Sequence, residues 1–276
     1  MLDFKNLMSK LKIIIVTQDV PFYLPTYLDK VLSKLGPEGD VIKVFALPPD
    51  SPKMGYYNTL KYYFEFFGTI VFFYLAFVKM MYGLCNFLNS KLKIPSPIHS
   101  VELVCQKHKV AFSKIDTINS KKILGEVKDL QPDIILSLAA PEVFCSDLLS
   151  IPRLACLNIH SSLLPQYRGI NANFWVLAKG ETETGVTIHY MNSGIDSGRI
   201  LLQKKIEIEE NWSLHSLYLK VIDIGSDMIA ECINTLSTGK MTTFENKVSE
   251  GAYFTYPTRK DAKEFRLRKK KFFRFY

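Results

Sequence analysis

Short apolar runs alternate with amphipathic segments along the first part of the chain. Residues 11–17 and 41–47 are apolar runs with several β-branched side chains, which predicts two strands buried on both faces. Between them, the spacing of apolar positions predicts a helix from about residue 24 to residue 35, which Gly36 and Pro37 end. A strand, a helix and a second strand in this order predict a parallel sheet.

The alternation resumes after residue 92 and continues to Gly239. Further strands are predicted at residues 110–115, 133–139, 155–160, 185–191 and 200–208. Further helices are predicted at residues 100–109, 119–130, 141–149, 171–179 and 213–239, with Asn119 and Ser213 as N-caps. The predicted fold class is α/β, with a doubly wound, mostly parallel sheet, a helical insertion and a small C-terminal extension.

Residues 55–92 interrupt this pattern, because they form a long aromatic and apolar segment that is predicted to be helical. Apolar side chains contribute about −0.3 to −0.6 kcal/mol each to membrane insertion, against about +3 kcal/mol for Lys79. These values alone permit a spanning helix. The strands on either side are predicted to belong to one sheet, so a single span is not expected. Two interpretations remain: packing on the sheet or in a homodimer, and peripheral contact with a membrane.

The net charge of +8 is concentrated in one segment. Residues 259–276 contain nine Lys or Arg and two Asp or Glu, a balance of +7, so the rest of the chain is close to neutral. A neutral body gives no sign of a nucleic-acid-binding face. Basic and aromatic residues alternate in 266–276, which suits anionic lipid, and together with 66–88 this predicts reversible membrane contact. The alternative for 266–276 is a solvated end.

The cysteine pattern indicates a reducing compartment. Five cysteines are scattered along the chain, and none has the spacing of a metal site, so neither a disulfide framework nor a bound metal is expected. The first residues lack the features of a secretory signal. We therefore expect a cytoplasmic protein, with membrane association through the segments named above.

Candidate chemistry is concentrated between residues 158 and 198. Asn158 and His160 are two positions apart in a predicted strand, so their side chains share a face at its carboxyl end, where ligands bind in open α/β sheets. Asp196 follows on a turn between Gly194 and Gly198, where the backbone can approach a ligand closely. Each feature alone is usual for packing or for a turn.

Five short motifs occur in order along this part of the chain: Asn158-Ile-His160, Ser162-Leu-Leu-Pro165, Arg168-Gly169, Gly185-Val-Thr187 and Asp196-Ser-Gly198. Together they strongly resemble the folate-dependent formyltransferases, which include methionyl-tRNA formyltransferase, glycinamide ribonucleotide transformylase and the amino-sugar formyltransferases. The resemblance implies a Rossmann-like formyltransferase fold. It also implies a catalytic domain at 1–208, with 55–92 as an insertion and 209–276 as a C-terminal helix and basic extension.

The resemblance further implies that Asn158, His160 and Asp196 are catalytic. In this chemistry a free amine attacks the formyl carbon, and the formyl oxygen becomes negative. The Asn158 amide and a protonated His160 can donate to that oxygen, and one well-placed donor contributes about 2.7–4 kcal/mol. Asp196 can favour the protonated His160 and orient a water that relays protons. His189 is expected to pack or to line the pocket wall.

The formyl donor implied by the resemblance is 10-formyltetrahydrofolate, whose pterin is bound mostly by backbone groups. Two loops match the pterin site, and their residues are Leu138, Ala139, Val143, Ser193, Gly194, Ile195 and Gly198. The sequence Ala139-Ala140-Pro141 departs from that of some relatives. Substrate contacts are expected from Ser162, Arg168 and Gly169, with Arg168 facing a phosphate.

Three features bear on the acceptor amine. Residues 17–22 contain no glycine, which argues against the phosphate loop of the purine enzyme. Only 68 residues (276 − 208) follow Ile208, which is too short for the C-terminal barrel that grips tRNA. Residues 180–189 resemble the amino-sugar branch. A nucleotide-linked amino sugar is therefore the leading expectation; methionyl-tRNA formylation and a non-catalytic folate-binding module are the alternatives.

Overall fold

The structure, a computed structural model, describes residues 10–49, 55–239 and 241–274; the side chain of Tyr56 is not described. A central sheet contains seven strands in the order β3-β2-β1-β4-β5-β7-β8. Its strands are β1 (Leu11–Gln18), β2 (Gly39–Leu47), β3 (Ala111–Lys114), β4 (Ile134–Ser137), β5 (Ala155–His160), β7 (Glu183–Tyr190) and β8 (Ile200–Glu207). A second, two-stranded sheet pairs β6 (Arg168–Gly169) with β9 (Tyr253–Phe254).

The central sheet is parallel from β3 to β5, and β7 is antiparallel to both of its neighbours. Its helices are α1 (Leu24–Lys34), α4 (Val101–His108), α5 (Lys121–Leu130), α6 (Ser146–Leu149), α7 (Ala172–Lys179), α8 (Leu214–Ser237) and α9 (Arg259–Leu267). The predicted doubly wound, mostly parallel α/β fold is confirmed.

Helices cover both faces of the sheet, which is why β1 is a continuous apolar run. On one face, Ile13 and Ile15 lie in a core with residues of α1, α4 and α8. On the other face, Ile14 and Val16 lie in a core with residues of α5 and α6. All four β1 side chains are almost completely buried.

The predicted strands and helices outside residues 119–149 agree with the structure to within two residues at each end. Two predictions nearby are wrong. Ser120, rather than Asn119, caps α5, since its Oγ accepts from Ile123 N at 3.4 Å. The helix expected at 141–149 is only α6, and residues 138–145 form a loop.

Glu142 explains both differences. Its carboxylate accepts from Ile118 N at 2.9 Å and from Asn119 Nδ2 at 2.8 Å, while Asn119 Oδ1 accepts from Cys145 N at 2.8 Å. These bonds join two loops that are distant in sequence. They hold the segment before α6 in an irregular loop and leave Asn119 no freedom to cap α5.

The helical insertion consists of α2 (Tyr56–Phe67) and α3 (Thr69–Lys91), separated at Gly68, which has φ of +77°. Within the described residues, one helix, α3, is long and apolar enough to cross a membrane by length and composition. No residue of α3 is buried. The proposed division of the chain at residue 208 stays a prediction; α8 packs against α1 and β7.

Candidate active site

Asn158 and His160 are two of the last three residues of β5, at the carboxyl edge of the sheet. The loop between β7 and β8 folds back over this part of β5 and brings Asp196 to both side chains. Asp196, which is distant in sequence, therefore forms one cluster with the two residues of β5, as the motifs predicted. His160 is buried, and Asn158 and Asp196 are partly buried.

The Asp196 carboxylate is the centre of the cluster. Its Oδ2 accepts from Gly169 N at 2.8 Å and lies 3.6 Å from His160 Nδ1. Its Oδ1 accepts from Asn158 Nδ2 at 3.2 Å and lies 3.5 Å from His189 Nε2. Donors or potential cations therefore surround both oxygens, which is the usual arrangement for a buried carboxylate that remains ionised.

The electrostatic balance at Asp196 favours the charged form. Burial on its own raises the pKa of this carboxyl group. The charge of His160 lowers it, as do hydrogen bonds from His189 and Gly169 N, and these effects together hold the pKa of Asp196 well below its usual range. At neutral pH the site therefore contains a fixed negative charge.

Backbone carbonyls determine which ring nitrogens carry hydrogen. His160 Nε2 lies 2.8 Å from Tyr167 O, and because a carbonyl only accepts, this nitrogen must carry a proton. His160 Nδ1 then faces Asp196, and a doubly protonated ring would donate toward both partners. In His189 the same reasoning places hydrogen on Nδ1, 2.8 Å from Tyr190 O, so in the neutral ring Nε2 accepts from Asn158 Nδ2 at 3.1 Å.

His189 is a member of the cluster whose position the sequence did not reveal. It lies on β7 directly opposite Asn158 of β5. The sequence signal that could have found it is the antiparallel pairing of β7 with β5, which places its side chain beside Asn158. Its almost complete burial and its contact with Asn158 agree with the expectation that it packs or lines the pocket wall.

The loop at 161–169 supports the cluster through buried hydrogen bonds. Ser162 Oγ donates to Gln166 O at 2.7 Å, and Thr187 Oγ1 donates to Ser162 O at 2.6 Å. Ser162 is completely buried, so it shapes the loop and offers no surface for substrate contact in this arrangement. Gly169 has φ of +95°, and an added Cβ would lie 2.1 Å from Phe254 O.

Arg168 lies beside the Asp196 loop. Its Nη1 is 3.5 Å from Ile195 O, and its Nε is buried without a hydrogen-bond partner among the residues that the structure describes. A guanidinium with an unused N–H can donate to a further anionic or carbonyl group. The structure therefore places the predicted phosphate-binding residue at the edge of the cluster.

A segment near the end of the chain closes the site from the other side, which the sequence did not predict. Asn246 Nδ2 donates to Asp196 O at 2.9 Å and to Gly198 O at 3.1 Å. Gln166 Nε2 donates to Glu250 O at 2.8 Å, and β9 pairs with β6. This segment therefore fixes both loops that carry the functional groups.

The two loops expected to bind the pterin leave the sheet beside the cluster. Ser137, the last residue of β4, pairs with Asn158, so Leu138 begins its loop next to the site. The Leu138 side chain is completely buried, whereas Val143 and Ile195 expose apolar side chains. Ala139 is exposed and has φ of +56°, and Gln18 Nε2 donates to its carbonyl at 2.9 Å.

The remaining residues of the second loop form a tight turn. Asn192 Oδ1 accepts from Gly194 N at 3.0 Å and from Ser197 Oγ at 2.7 Å. Ser193 and Gly194 are exposed, and an added Cβ at Gly198 would lie 1.8 Å from Tyr190 O. In the part of the chain that the structure describes, no group of His, Cys, Asp and Glu is arranged to hold a metal ion.

Comparison with known protein families matches residues 94–233, just over half of the chain, to the formyl transferase family. The chain belongs to this family. Methionyl-tRNA formyltransferase of Thermotoga maritima is 36% identical over 159 residues, which are 58% of this chain and 50% of that protein. The enzyme of the same name from Clostridioides difficile is 36% identical over 119 residues, 43% of this chain and 38% of that protein. The chain thus spans at most about half the length of these relatives.

Solved structures of formyl transferases share the fold. An N-formyltransferase from Helicobacter canadensis, in complex with folinic acid and dTDP-3-aminofucose, aligns with a TM-score of 0.54 and 18% identity over 88% of this chain and 70% of that one. Phosphoribosylglycinamide formyltransferase from Anaplasma phagocytophilum aligns with a TM-score of 0.57 and 14% identity over 90% of this chain and all of that one. At these identities the likeness concerns the fold alone.

Proposed function

We propose that this formyl transferase moves a formyl group from 10-formyltetrahydrofolate to the amine of a small substrate, with Asn158, His160 and Asp196 as the catalytic residues. The observation that carries the proposal is the convergence of these three side chains around one ionised carboxylate, at the carboxyl edge of the sheet. Family membership supports the reaction type.

The roles of the residues follow from their contacts. His160 donates through Nε2 to Tyr167 O and faces Asp196 through Nδ1, so the carboxylate orients the ring and stabilises its positive charge. A positively charged His160 can stabilise negative charge that develops on an oxygen and can act as a proton donor. Asp196 remains ionised and acts through this ring.

Asn158 has no spare hydrogen while the His189 ring is neutral. One amide hydrogen is directed at Asp196 Oδ1, and the other is directed at His189 Nε2. Donation to a formyl oxygen therefore requires Asn158 to give up one of these partners. Protonation of His189 would do this, because its Nε2 would become a donor and release the amide.

The residues present fit a folate donor. Val143 and Ile195 expose apolar side chains on the two loops beside the cluster, where they suit a flat ring, and the exposed backbone of Ala139 and Gly194 can bind its polar edge. When bound, the folate supplies the formyl carbon that the amine attacks. Leu138 would contribute only its backbone, because its side chain lies in the core.

For the acceptor we propose a nucleotide-linked amino sugar. Arg168 supports this choice, because its buried Nε lacks a partner among the described residues and an arginine can bind a phosphate at that position. The loop after β1 has no glycine between residues 17 and 22, unlike a glycine-rich phosphate loop. Methionyl-tRNA formylation is the second candidate, because the sequence relatives at 36% identity carry that name.

Peripheral membrane contact through 66–88 and 266–276, a homodimer, and a cytoplasmic location stay predictions, as does a non-catalytic folate-binding role. The whole chain should be incubated with 10-formyltetrahydrofolate and, separately, with nucleotide-linked amino sugars, glycinamide ribonucleotide and initiator methionyl-tRNA. Release of tetrahydrofolate and the mass of the product are measured.

We expect formylation of at least one amino sugar, and none by the His160→Ala variant. Efficient formylation of the tRNA, with none of the sugars, would establish the second candidate instead. Binding of a folate analogue in a calorimetric titration, without turnover of any acceptor, would favour the non-catalytic role.

A further inference from the structure

The distribution of polar and apolar side chains on α3 is opposite to that of a helix on the surface of a soluble protein. Two of its polar residues, Asn86 and Asn89, face the protein, where their side chains donate to His99 O at 3.1 Å and Ser96 O at 3.3 Å, while Lys79 in the middle of the helix is exposed. Its large apolar residues face outward with exposures of 48% to 77%, namely Ile70, Phe73, Phe77, Met80, Leu84 and Phe87. Such a helix requires an apolar environment on its outer side.

The outward residues form one stripe along the whole helix. Positions 70, 73, 77, 80, 84 and 87 recur at alternating intervals of three and four, which keeps them on one face. With 23 residues, α3 is about 34 Å long. The neighbouring α2 adds the exposed residues Tyr57, Leu60 and Phe64. We call α2 and α3 together the apolar arm.

Contacts with the protein body show that α3 lies along the surface. Tyr74 packs against Phe273 at 5.3 Å between ring centroids. Tyr82 packs against Phe22 at 5.5 Å and stacks on His99 at 3.6 Å. The helix is therefore attached to the body in both halves, which a helix crossing a bilayer would not be.

The apolar arm lies at the same edge of the sheet as the candidate active site. Phe22 lies between β1 and α1, His99 precedes α4, and Phe273 contacts His215 in the first turn of α8. All three helices begin at the carboxyl edge, where β5 also ends. A surface that covers the outer side of the arm would therefore be close to this edge.

Basic residues lie directly beside the arm. Arg266 Nη1 donates to Phe66 O at 2.8 Å, and Arg259 Nη1 lies 3.8 Å from Glu65 Oε1. Within residues 259–274, eight of the nine Lys and Arg residues are exposed. A second copy of the chain would bring another basic segment of the same sign, whereas anionic lipid headgroups attract such a segment.

We propose that the apolar arm and the basic segment 259–274 form one surface that docks on a bilayer containing anionic lipid, without spanning it. The outward stripe enters the boundary between headgroups and acyl chains, and the basic side chains bind the headgroups. Docking holds the carboxyl edge of the sheet, and with it the candidate active site, close to the membrane. This inference concerns the location of the protein and is independent of its acceptor.

The test is flotation of the whole chain with vesicles at low salt. Vesicles of phosphatidylcholine alone are compared with vesicles in which roughly a third of the lipid is phosphatidylglycerol. The stripe variant combines Phe73→Ser, Phe77→Ser and Met80→Ser, which change exposed side chains and spare the core. The matched control combines Leu154→Ser and Leu219→Ser, two exposed apolar residues elsewhere on the surface.

We expect the chain to float with anionic vesicles, the control to behave like the wild type, and the stripe variant to lose more than about tenfold in affinity. In the basic segment, Lys263→Gln with Lys269→Gln should weaken anionic binding about 30-fold, which corresponds to about 1 kcal/mol per charge. Lys12→Gln with Lys128→Gln, exposed lysines at the opposite, amino edge of the sheet, should have little effect.

Two results would overturn the proposal. One is failure of the wild type to float with either lipid mixture. The other is a dimer in sedimentation that the stripe variant converts to a monomer, while flotation is the same for both proteins. The second result would identify another copy of the chain as the partner of the stripe.

Discussion

Replacement of Asp196 by asparagine removes one negative charge and leaves the size of the side chain almost unchanged. In the wild type, one oxygen accepts from Gly169 N at 2.8 Å and the other from Asn158 Nδ2 at 3.2 Å. An asparagine has only one acceptor oxygen, so one of these donors must then face an NH₂ group. Hydrogen bonds to charged groups contribute about 1.5–3 kcal/mol each. With the lost attraction to His160 and His189, we expect Asp196→Asn to lower the free energy of unfolding by about 2–4 kcal/mol.

The pH dependence of this loss has a definite sign. Burial raises the pKa of Asp196, but His160, His189 and Gly169 N together lower it by more. Its pKa in the folded state therefore lies below its pKa in the unfolded state. A carboxyl group of this kind stabilises the fold fully above its unfolded pKa of about 3.9, and the contribution is lost as the pH falls through the folded value. The difference between wild type and variant should therefore persist from pH 7 to pH 5 and shrink below about pH 4.

Urea unfolding at several pH values measures the difference, with tryptophan fluorescence as the signal. Asp116→Asn, an exposed carboxylate in a loop, is the control and should change stability by less than about 0.5 kcal/mol. Formyl transfer by Asp196→Asn should fall by about a hundredfold or more at pH 7, because the ring of His160 loses its orienting charge. If Asp196→Asn is as stable as the control at pH 7, the carboxylate network contributes little and the reasoning is wrong.

Three further sets of variants test other parts of the site. His160→Ala and Asn158→Asp should each reduce formyl transfer to less than about a tenth of the wild-type rate in a tetrahydrofolate-release assay, while circular dichroism remains native; a higher rate in either would contradict its catalytic role. Asn246→Ala should lower the free energy of unfolding in urea by about 1–3 kcal/mol, because it leaves two backbone carbonyls unpaired. Asn246→Asp should lower this free energy more, since a carboxylate cannot donate to the carbonyls. Equal stability of the two variants would refute this reasoning. Gly169→Ala should destabilise the protein, because the added Cβ meets a backbone oxygen at 2.1 Å, whereas Gly125→Ala, with open space in the middle of α5, should raise the melting temperature.

The architecture could be predicted because its strands are short apolar runs. β1 and β4 are covered on both faces, so their central positions are consecutive apolar residues and the runs stand out from their surroundings. The cap of α5 at Ser120 and the loop at residues 138–145 could not be predicted in the same way. Both depend on where the Glu142 carboxylate finds its donors, and those donors belong to another loop.

The candidate cluster was partly predictable for a related reason. Asn158 and His160 share one strand face, which local spacing reveals, and the motif resemblance supplied Asp196. His189 and Asn246 reach the cluster only through tertiary contacts: the pairing of β7 with β5, and the return of the chain after α8. No local pattern distinguishes these two residues from ordinary buried polar residues.

The position of Asn246 also bears on how much of the chain the site requires. The match to the formyl transferase family ends at residue 233, before the segment that holds the Asp196 loop. Yet Asn246 donates to the carbonyls of Asp196 and Gly198, at the two ends of this turn. In addition, β9 pairs with β6, whose Gly169 N donates to the Asp196 carboxylate. The geometry around Asp196 therefore depends on residues beyond the matched region. A fragment that ends at residue 233 would retain the three proposed catalytic side chains without the contacts that position them.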